Sequence, residues 1–159
     1  MRARLARPAE YEDVGELTVR AYRTVDPDLG DYADELRAVS AHATEAEVLV
    51  VELDSRLVGT VTYVPRPGAL SEGADPDGAW IRFLAVDEGA RGRGVGAALV
   101  GACLERARRD ARARVLLHTT DRMLAAQRLY ERLGFTRTPA DDFEVEPAFW
   151  LRAYRYELR

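Results

Sequence analysis

The sequence predicts an α/β fold, with a mixed, mostly antiparallel central sheet flanked by about four helices. Segments with helical apolar spacing alternate with short apolar runs that are typical of strands. A strand, a helix and a second strand between residues 80 and 119 indicate a right-handed parallel crossover, whereas the hairpin before them is antiparallel. Helices in such an order cover both faces of a sheet. A length of 159 residues suits one domain, which we expect to span 1–159.

The first 64 residues predict a strand, two helices and a hairpin. Pro8 suits the first turn of a helix, where its missing N–H costs nothing. The turn-forming segment 26–30 ends that helix, and Asp54 and Ser55 connect the two strands of the hairpin. The expected elements are a strand over 1–6, helices over 8–24 and 32–43, and strands over 48–53 and 56–64.

The second part of the chain predicts a loop, a parallel crossover and a strand-rich end. Segment 65–78 holds three prolines and three glycines, which favours a loop. Asp121 is a suitable N-cap for the last helix, and Gly134 suits its end. The further expected elements are a strand over 80–86, a helix over 94–109, a strand over 115–119, a helix from 121 to 133, a strand near 135, an acidic loop over 141–146 and a strand over 149–158.

Composition excludes several function classes. The net charge of −4 argues against a nucleic-acid partner and is compatible with a cationic small molecule or a basic peptide. No apolar run approaches the roughly 20 residues of a membrane span, and no secretory signal is evident, so we expect no membrane partner. The single cysteine, Cys103, favours a reducing cytoplasm. With two histidines and one cysteine, we expect no metal site.

A glycine-rich turn between the strand at 80–86 and the following helix is the most informative segment. The first N–H groups of a helix have no internal partner and carry partial positive charge. Glycines let the backbone approach an anion closely, so a phosphate or pyrophosphate is the natural ligand of such a turn. Arg91 and Arg93 are placed to add charge-assisted contacts.

Two other phosphate-binding classes fit this turn poorly. A Walker loop requires a lysine, and all 23 basic residues of this chain are arginine. A dinucleotide-binding motif belongs directly at the strand end, but the five residues 87–91 intervene before Gly92. It also needs further strand–helix units, for which the remaining chain is too short.

The third class fits two separate motifs. The run Arg91-Gly92-Arg93-Gly94-Val95-Gly96 resembles the Gln/Arg-x-x-Gly-x-Gly/Ala signature by which N-acetyltransferases of the GNAT superfamily hold the pyrophosphate of coenzyme A. Residues 83–86 resemble the family's central strand, and residues 125–135 are similar to its Leu-Tyr-x-x-x-Gly-Phe segment. The resemblance covers roughly the whole chain. It implies a GNAT-like sheet in which the parallel strand pair is splayed.

The resemblance also implies acetyl-CoA as the co-substrate. In the family, the backbone of the splayed strand binds the pantetheine arm and the glycine turn binds the pyrophosphate. The residues that match these parts are Leu84, Ala85, Val86, Arg91, Gly92, Arg93, Gly94, Val95, Gly96 and Ala97.

Acetyl transfer to a primary amine by direct attack has three requirements. The amine must lose a proton, the carbonyl oxygen must be polarised, and the leaving thiolate must be protonated. By the resemblance, Tyr130 is the general acid for the thiolate. A backbone N–H at Leu84 to Val86 is the candidate donor to the carbonyl oxygen.

The sequence does not identify the group that accepts the proton of the amine. Family members often use a glutamate on or near the central strand, or ordered water, but this strand carries Arg82 and no acid. The candidates are His118, Glu52, water and the acidic loop with Asp141, Asp142, Glu144 and Glu146.

One departure from the family pattern sustains an alternative function. Many members have an asparagine that contacts the cofactor seven residues before the tyrosine, where this chain has Met123. Together with the missing strand acid, Met123 leaves open a non-catalytic, coenzyme A-binding sensor. In the family the first two helices usually line the acceptor groove, here with Tyr22 and Tyr32, and the acceptor is a small-molecule or peptide amine. The aromatic last strand, with Trp150 and Tyr154, indicates core packing or a homodimer.

Overall fold

The computed structural model describes residues 1–159, whose strands form a single eight-stranded sheet. The strand order is β1-β2-β3-β4-β5-β8-β6, and β7 also pairs with β8. The strands are β1 (Ala3–Leu5), β2 (Glu47–Leu53), β3 (Arg56–Val64), β4 (Gly78–Val86), β5 (Arg114–Thr120), β6 (Thr136–Arg137), β7 (Phe143–Glu146) and β8 (Phe149–Glu157). The helices are α1 (Tyr11–Arg23), α2 (Tyr32–Arg37), α3 (Val39–His42), α4 (Val95–Arg109) and α5 (Leu124–Arg132).

The pair β4–β5 is parallel and splayed, and every other strand pair is antiparallel. Pairing between β4 and β5 is confined to Gly78–Trp80 opposite Arg114–Leu116. Beyond these residues β4 continues on β3, while β5 continues on β8 as far as Thr120. The two strands therefore separate within the sheet, and the predicted mixed, mostly antiparallel fold with a splayed parallel pair is confirmed.

Helices cover both faces of the sheet, which explains the continuous apolar run of β2. Side chains of successive strand residues point to opposite faces. Val48 and Val50 pack with Val14 of α1, on the face of α1 to α3. Leu49 and Val51 belong to the larger core that contains the apolar stripe of α4. A stretch of strand that is buried on both faces is apolar at successive positions, as residues 48–51 are.

Strand β4 carries a local distortion at Phe83. Its φ is +56°, in the left-handed region that residues with a side chain rarely adopt. The register between β3 and β4 shifts between Thr60 and Thr62, as expected where one strand contains an extra residue. Conformations of this kind persist only where the surrounding structure enforces them, and they cluster at functional sites.

Three local predictions are wrong. The helix expected over 32–43 is broken at Ala38, whose ψ of +40° is not helical, so α2 and α3 are separate. The helix expected from Asp121 begins at Leu124, because the Asp121 carboxylate binds Arg152 and does not cap. The expected acidic loop contains β7, since its charged and apolar residues alternate and suit an exposed strand at the sheet edge.

Two further findings concern membranes and Cys103. No helix combines the length and the apolar character needed to cross a membrane. Cys103 is fully buried in α4, and burial raises the pKa of its thiol far above the usual range. A thiol that stays protonated is a poor nucleophile, so we expect Cys103 to be unreactive.

Candidate active site

A cleft opens where β4 and β5 separate. It encloses about 50 Å³. Residues of β4, β5, α1, α2, α5 and the loop between β3 and β4 line it, namely Tyr22, Tyr32, Glu72, Ile81, Arg82, Phe83, Leu84, His118, Thr119, Met123, Ala126 and Tyr130. The cleft therefore brings together residues that are far apart in the sequence, such as Tyr22 and Tyr130, and it also contains His118.

The glycine turn presents an unbroken row of free backbone donors at the start of α4. The N–H groups of the six consecutive residues 92–97 donate to no other group of the chain, and the first helical hydrogen bond at this end is from Ala98 to the Gly94 carbonyl. Such a row carries partial positive charge and favours an anionic ligand. All six residues belong to the predicted cofactor set.

Two glycines give this turn its shape. Gly92 and Gly94 have φ values of +78° and +84°, so both adopt the left-handed region that favours glycine. A Cβ built at either position would have no atom within 4 Å. The space beside the turn is therefore open, and a ligand has access to the backbone there.

The two arginines of the turn differ in their contacts. The Arg91 guanidinium donates a 2.9 Å hydrogen bond to Thr24 Oγ1 at the end of α1. Arg93 is exposed and has no side-chain partner in the chain. Arg91 thus ties the turn to α1, whereas Arg93 is free to contact an anion bound at the turn.

The end of β4 runs from the cleft toward the glycine turn. Ala85 and Val86 pair with Thr60 and Gly59 of β3 on one side. The opposite edge, toward β5, has no strand partner beyond Trp80. This open edge holds the predicted residues Leu84, Ala85 and Val86, and it offers backbone donors and acceptors to an extended ligand.

Tyr130 of α5 forms one wall of the cleft. The residue is 5% exposed, packs against Phe135 at 5.6 Å between ring centroids and also contacts Tyr154. Its hydroxyl makes no hydrogen bond to another protein group. Burial raises the pKa of Tyr130 well above the usual value near 10. The phenol therefore remains protonated at neutral pH and is able to donate a proton.

Glu72 is a cleft residue that the sequence did not reveal. It lies in the loop between β3 and β4, with its Oε1 3.7 Å from Arg82 Nε and 3.7 Å from His118 Nδ1. The side chains of Glu72 and His118 are 16% and 7% exposed. Its only sequence signal was Arg82 on an otherwise apolar strand, because a half-buried arginine requires an acidic partner.

The other predicted proton acceptors lie outside the cleft. Glu52 of β2 forms an ion pair with Arg4. Asp142 forms an ion pair with Arg137, which holds its pKa below the usual range. Glu144 and Glu146 are exposed on β7. Asp141 reaches the region through its backbone, since its carbonyl oxygen lies 3.4 Å from His118 Nε2.

The remaining predicted residues also line the cleft. Tyr22 and Tyr32 lie 6.2 Å apart between ring centroids and cover it from α1 and α2. Met123 borders it at the N-cap of α5 and makes no side-chain cap. Thr119 Oγ1 is buried without a hydrogen-bond partner. A polar atom of this kind at a cleft wall favours a polar ligand group beside it.

Comparison with known proteins identifies related families. The model of the "Acetyltransferase (GNAT) family" matches residues 11–135. Human N-acetyltransferase 8B is 35% identical over 100 residues, which are 60% of this chain and 41% of that protein. The mycothiol acetyltransferase of Thermobispora bispora is 41% identical over 73 residues, 46% of this chain and 25% of that protein. The chain thus spans less than half the length of these two relatives.

Solved structures share the fold at low sequence identity. A GNAT-family acetyltransferase from Staphylococcus aureus Mu50 has a TM-score of 0.77 with 15% identity over 99% of both chains. The ribosomal-protein-alanine N-acetyltransferase of Brucella melitensis has a TM-score of 0.74 with 19% identity, over 99% of this chain and 100% of that chain. YncA from Salmonella typhimurium, solved with its cofactor acetyl-CoA, has a TM-score of 0.75 with 19% identity, over 100% of this chain and 94% of that chain.

Proposed function

Because the chain belongs to the GNAT acetyltransferase family, we propose that it transfers an acetyl group from acetyl-CoA to a primary amine. The observation that carries this proposal is the row of six free N–H groups over 92–97, next to a cleft that contains a protonated tyrosine. The names of both curated relatives, which describe acetyltransferases, support the same reaction class.

The residues of the turn and of β4 fit acetyl-CoA. The free N–H groups and the exposed Arg93 would hold the pyrophosphate, because both donate to anionic oxygens. The open edge of β4 at Leu84 to Val86 would bind the amide groups of the pantetheine arm. Acetyl-CoA supplies the thioester whose acetyl group is transferred.

Residues of the cleft would then act on the reacting atoms. Backbone N–H groups at the open edge of β4 would donate to the carbonyl oxygen as negative charge develops on it. The Tyr130 hydroxyl would protonate the leaving thiolate, a role that requires the phenol to be protonated at neutral pH. Direct attack by the amine requires no covalent intermediate on the protein.

Isothermal titration with acetyl-CoA, followed by thiol release over a panel of amines, tests this function. We expect saturable binding of acetyl-CoA and release of free thiol that depends on the amine. The absence of acetyl-CoA binding would contradict the assignment of the glycine turn.

A non-catalytic coenzyme A sensor is the second candidate function. Met123 favours it, because a thioether replaces the amide that many family members have at this position. Such a protein would bind acetyl-CoA in the titration and release no thiol with any amine.

A further inference from the structure

A second cavity of about 280 Å³ lies beside the cleft, bounded by the loop between β3 and β4 and by β5 and β8. Glu72 and His118 line both the cleft and the larger cavity. A molecule that extends from the larger cavity into the cleft would therefore lie beside these two side chains.

The loop that carries Glu72 is fixed to the sheet. Leu70 is buried in a cluster with Trp80 and Phe83. The Arg82 guanidinium donates a 3.0 Å hydrogen bond to the Leu70 carbonyl oxygen and lies 4.3 Å from the centroid of the Phe83 ring. Although Glu72 belongs to a loop, these contacts hold the backbone of the loop against the sheet, and the Glu72 carboxylate lies where the two cavities meet.

In the tautomer of His118 that carries its proton on Nε2, Nδ1 and Glu72 Oε1 face each other as two acceptors without a donor between them. The Asp141 carbonyl oxygen, 3.4 Å from His118 Nε2, only accepts a hydrogen bond and so favours the proton on Nε2. Nδ1 then carries a lone pair, and it is buried without a hydrogen-bond partner. Glu72 Oε1 lies 3.7 Å away, too far for a hydrogen bond. An N–H donor placed between the two atoms would satisfy both.

We propose that the larger cavity binds the acceptor and that its ammonium group docks between Glu72 Oε1 and His118 Nδ1. This inference rests on the proposed function and deepens it. Glu72 stabilises the ammonium by its charge, and His118 Nδ1 takes one proton from it. The neutral amine then attacks the acetyl carbon: a C–N bond forms, the C–S bond breaks, and Tyr130 protonates the thiolate. The second nitrogen proton is released to solvent, which leaves the amide; His118 then gives up its proton and Tyr130 regains one by exchange with solvent, so that the net reaction releases one proton.

The lining of the cavity indicates the class of acceptor. Trp80 and Leu116 supply an apolar wall, and Asp75 is neutralised by its ion pair with Arg114. Thr138 Oγ1 is buried without a hydrogen-bond partner in the same cavity. The volume is at the small end of ligand sites. The acceptor is thus a small primary amine with an apolar middle and a second hydrogen-bonding group, of which tyramine is a suitable probe.

The first test is binding of tyramine to protein saturated with coenzyme A, measured by calorimetry. We expect Glu72→Gln to weaken tyramine binding by about 10- to 100-fold, because a charge-assisted contact is lost. The control Glu105→Gln removes the same charge from the exposed face of α4 and should leave binding unchanged. Acetyl-CoA affinity should be the same in both variants and the wild type. Equal tyramine affinity in Glu72→Gln and the wild type would overturn the inference.

The second test separates proton transfer from a structural role. Asn in place of His118 keeps an acceptor near the position of Nδ1 but takes no proton. We expect His118→Asn to reduce kcat with tyramine by about 10²-fold. With trifluoroethylamine, a weakly basic amine that is already neutral at pH 7, the loss should be several times smaller. Equal losses with both amines would overturn the proton-transfer role.

Failure of the proposed function has a different signature. A wild-type protein that binds acetyl-CoA and releases no thiol with any amine would overturn the acetyltransferase proposal and this inference together. A wild-type protein that acetylates amines, with Glu72→Gln and His118→Asn equally active, would overturn this inference alone.

Discussion

The imidazole of His42 stacks on the ring of Phe83, with 4.6 Å between the ring centroids and 12° between the ring planes. Phe83 is the strained residue of β4, and the Arg82 guanidinium covers its ring at 4.3 Å. His42, for which the sequence showed no evident role, thus helps to hold the distorted part of the strand that forms the cleft floor. Its imidazole is almost fully buried and lies 3.4 Å from Glu35 Oε1.

We predict that His42 makes the protein less stable as the pH falls below neutrality. Burial lowers the pKa of His42; Arg82 lowers it further, while Glu35 and Glu45 oppose the shift. In the unfolded chain, His42 therefore binds a proton near pH 6.5. In the folded protein, it is still mostly neutral at this pH. Stability is full above that pH and declines below it, by at most about 1.4 kcal/mol per pH unit.

The variant His42→Phe should remove this dependence and keep an aromatic ring against Phe83. Thermal melts between pH 7.5 and 5 measure the effect, with His118 present in both proteins. The wild type should lose more of its melting temperature over this range than the variant. Identical slopes would show that His42 is not the group responsible.

Gly94→Ala should impair cofactor binding at the glycine turn. A φ of +84° disfavours alanine by roughly 1–2 kcal/mol, so the turn would relax and its N–H groups would lose their alignment. We expect acetyl-CoA affinity to fall at least about tenfold. Gly30→Ala is the matched control, because Gly30 also has a positive φ and open space around it, yet lies outside the turn. An equal loss of affinity in both variants would contradict the pyrophosphate role.

Tyr130→Phe should slow acetyl transfer and leave acetyl-CoA affinity unchanged. Loss of a general acid typically costs about 10²-fold or more in kcat. Because burial raises the pKa of Tyr130, ionisation of this phenol should not lower the rate of acetyl transfer at any pH up to about 10. Tyr63→Phe is the control, since this buried phenol donates to Asp110 and is not part of the cleft. The Tyr63→Phe variant should lose about 1 kcal/mol of stability and keep the kcat of the wild type.

Met123→Asn restores the residue that many family members have at the start of α5. Met123 is the N-cap and makes no side-chain cap, whereas asparagine is a favoured N-cap residue. We expect about 0.5–1 kcal/mol of added stability in urea unfolding and tighter binding of acetyl-CoA. Met123→Leu, which adds no polar group, should show neither change. A similar gain in Met123→Leu would point to packing instead of capping.

The predicted homodimer has a candidate surface on the hairpin of β7 and β8. Val145 is 55% exposed and Trp150 is 45% exposed, which is high for large apolar side chains. We expect sedimentation at micromolar concentration to give the mass of a dimer, and Trp150→Ser to shift it toward the monomer. A monomeric mass for the wild type would refute this prediction.

The sequence determined the features that depend on neighbours along the chain. The hairpin of β2 and β3, the helix α4 and the glycine turn follow from local apolar spacing and from residues with special backbone preferences. The free N–H groups of residues 92–97 are a local property of the same kind, because the start of any helix leaves its first amides without partners. The structure of the glycine turn, to which we assign the cofactor, was therefore predictable.

Tertiary structure decided the features that depend on contacts between distant residues. Asp121 is a residue type that favours the N-cap of a helix. Its carboxylate instead forms an ion pair with Arg152 on β8 and does not cap the helix. Glu72 lies in a loop without periodicity, and only the packing of that loop against β4 and β5 brings it to Arg82 and His118. Long-range electrostatics and packing have no signature in local sequence. Local sequence therefore specified the glycine turn to which we assign the cofactor, whereas the folded sheet alone placed Glu72 and His118 beside the cleft.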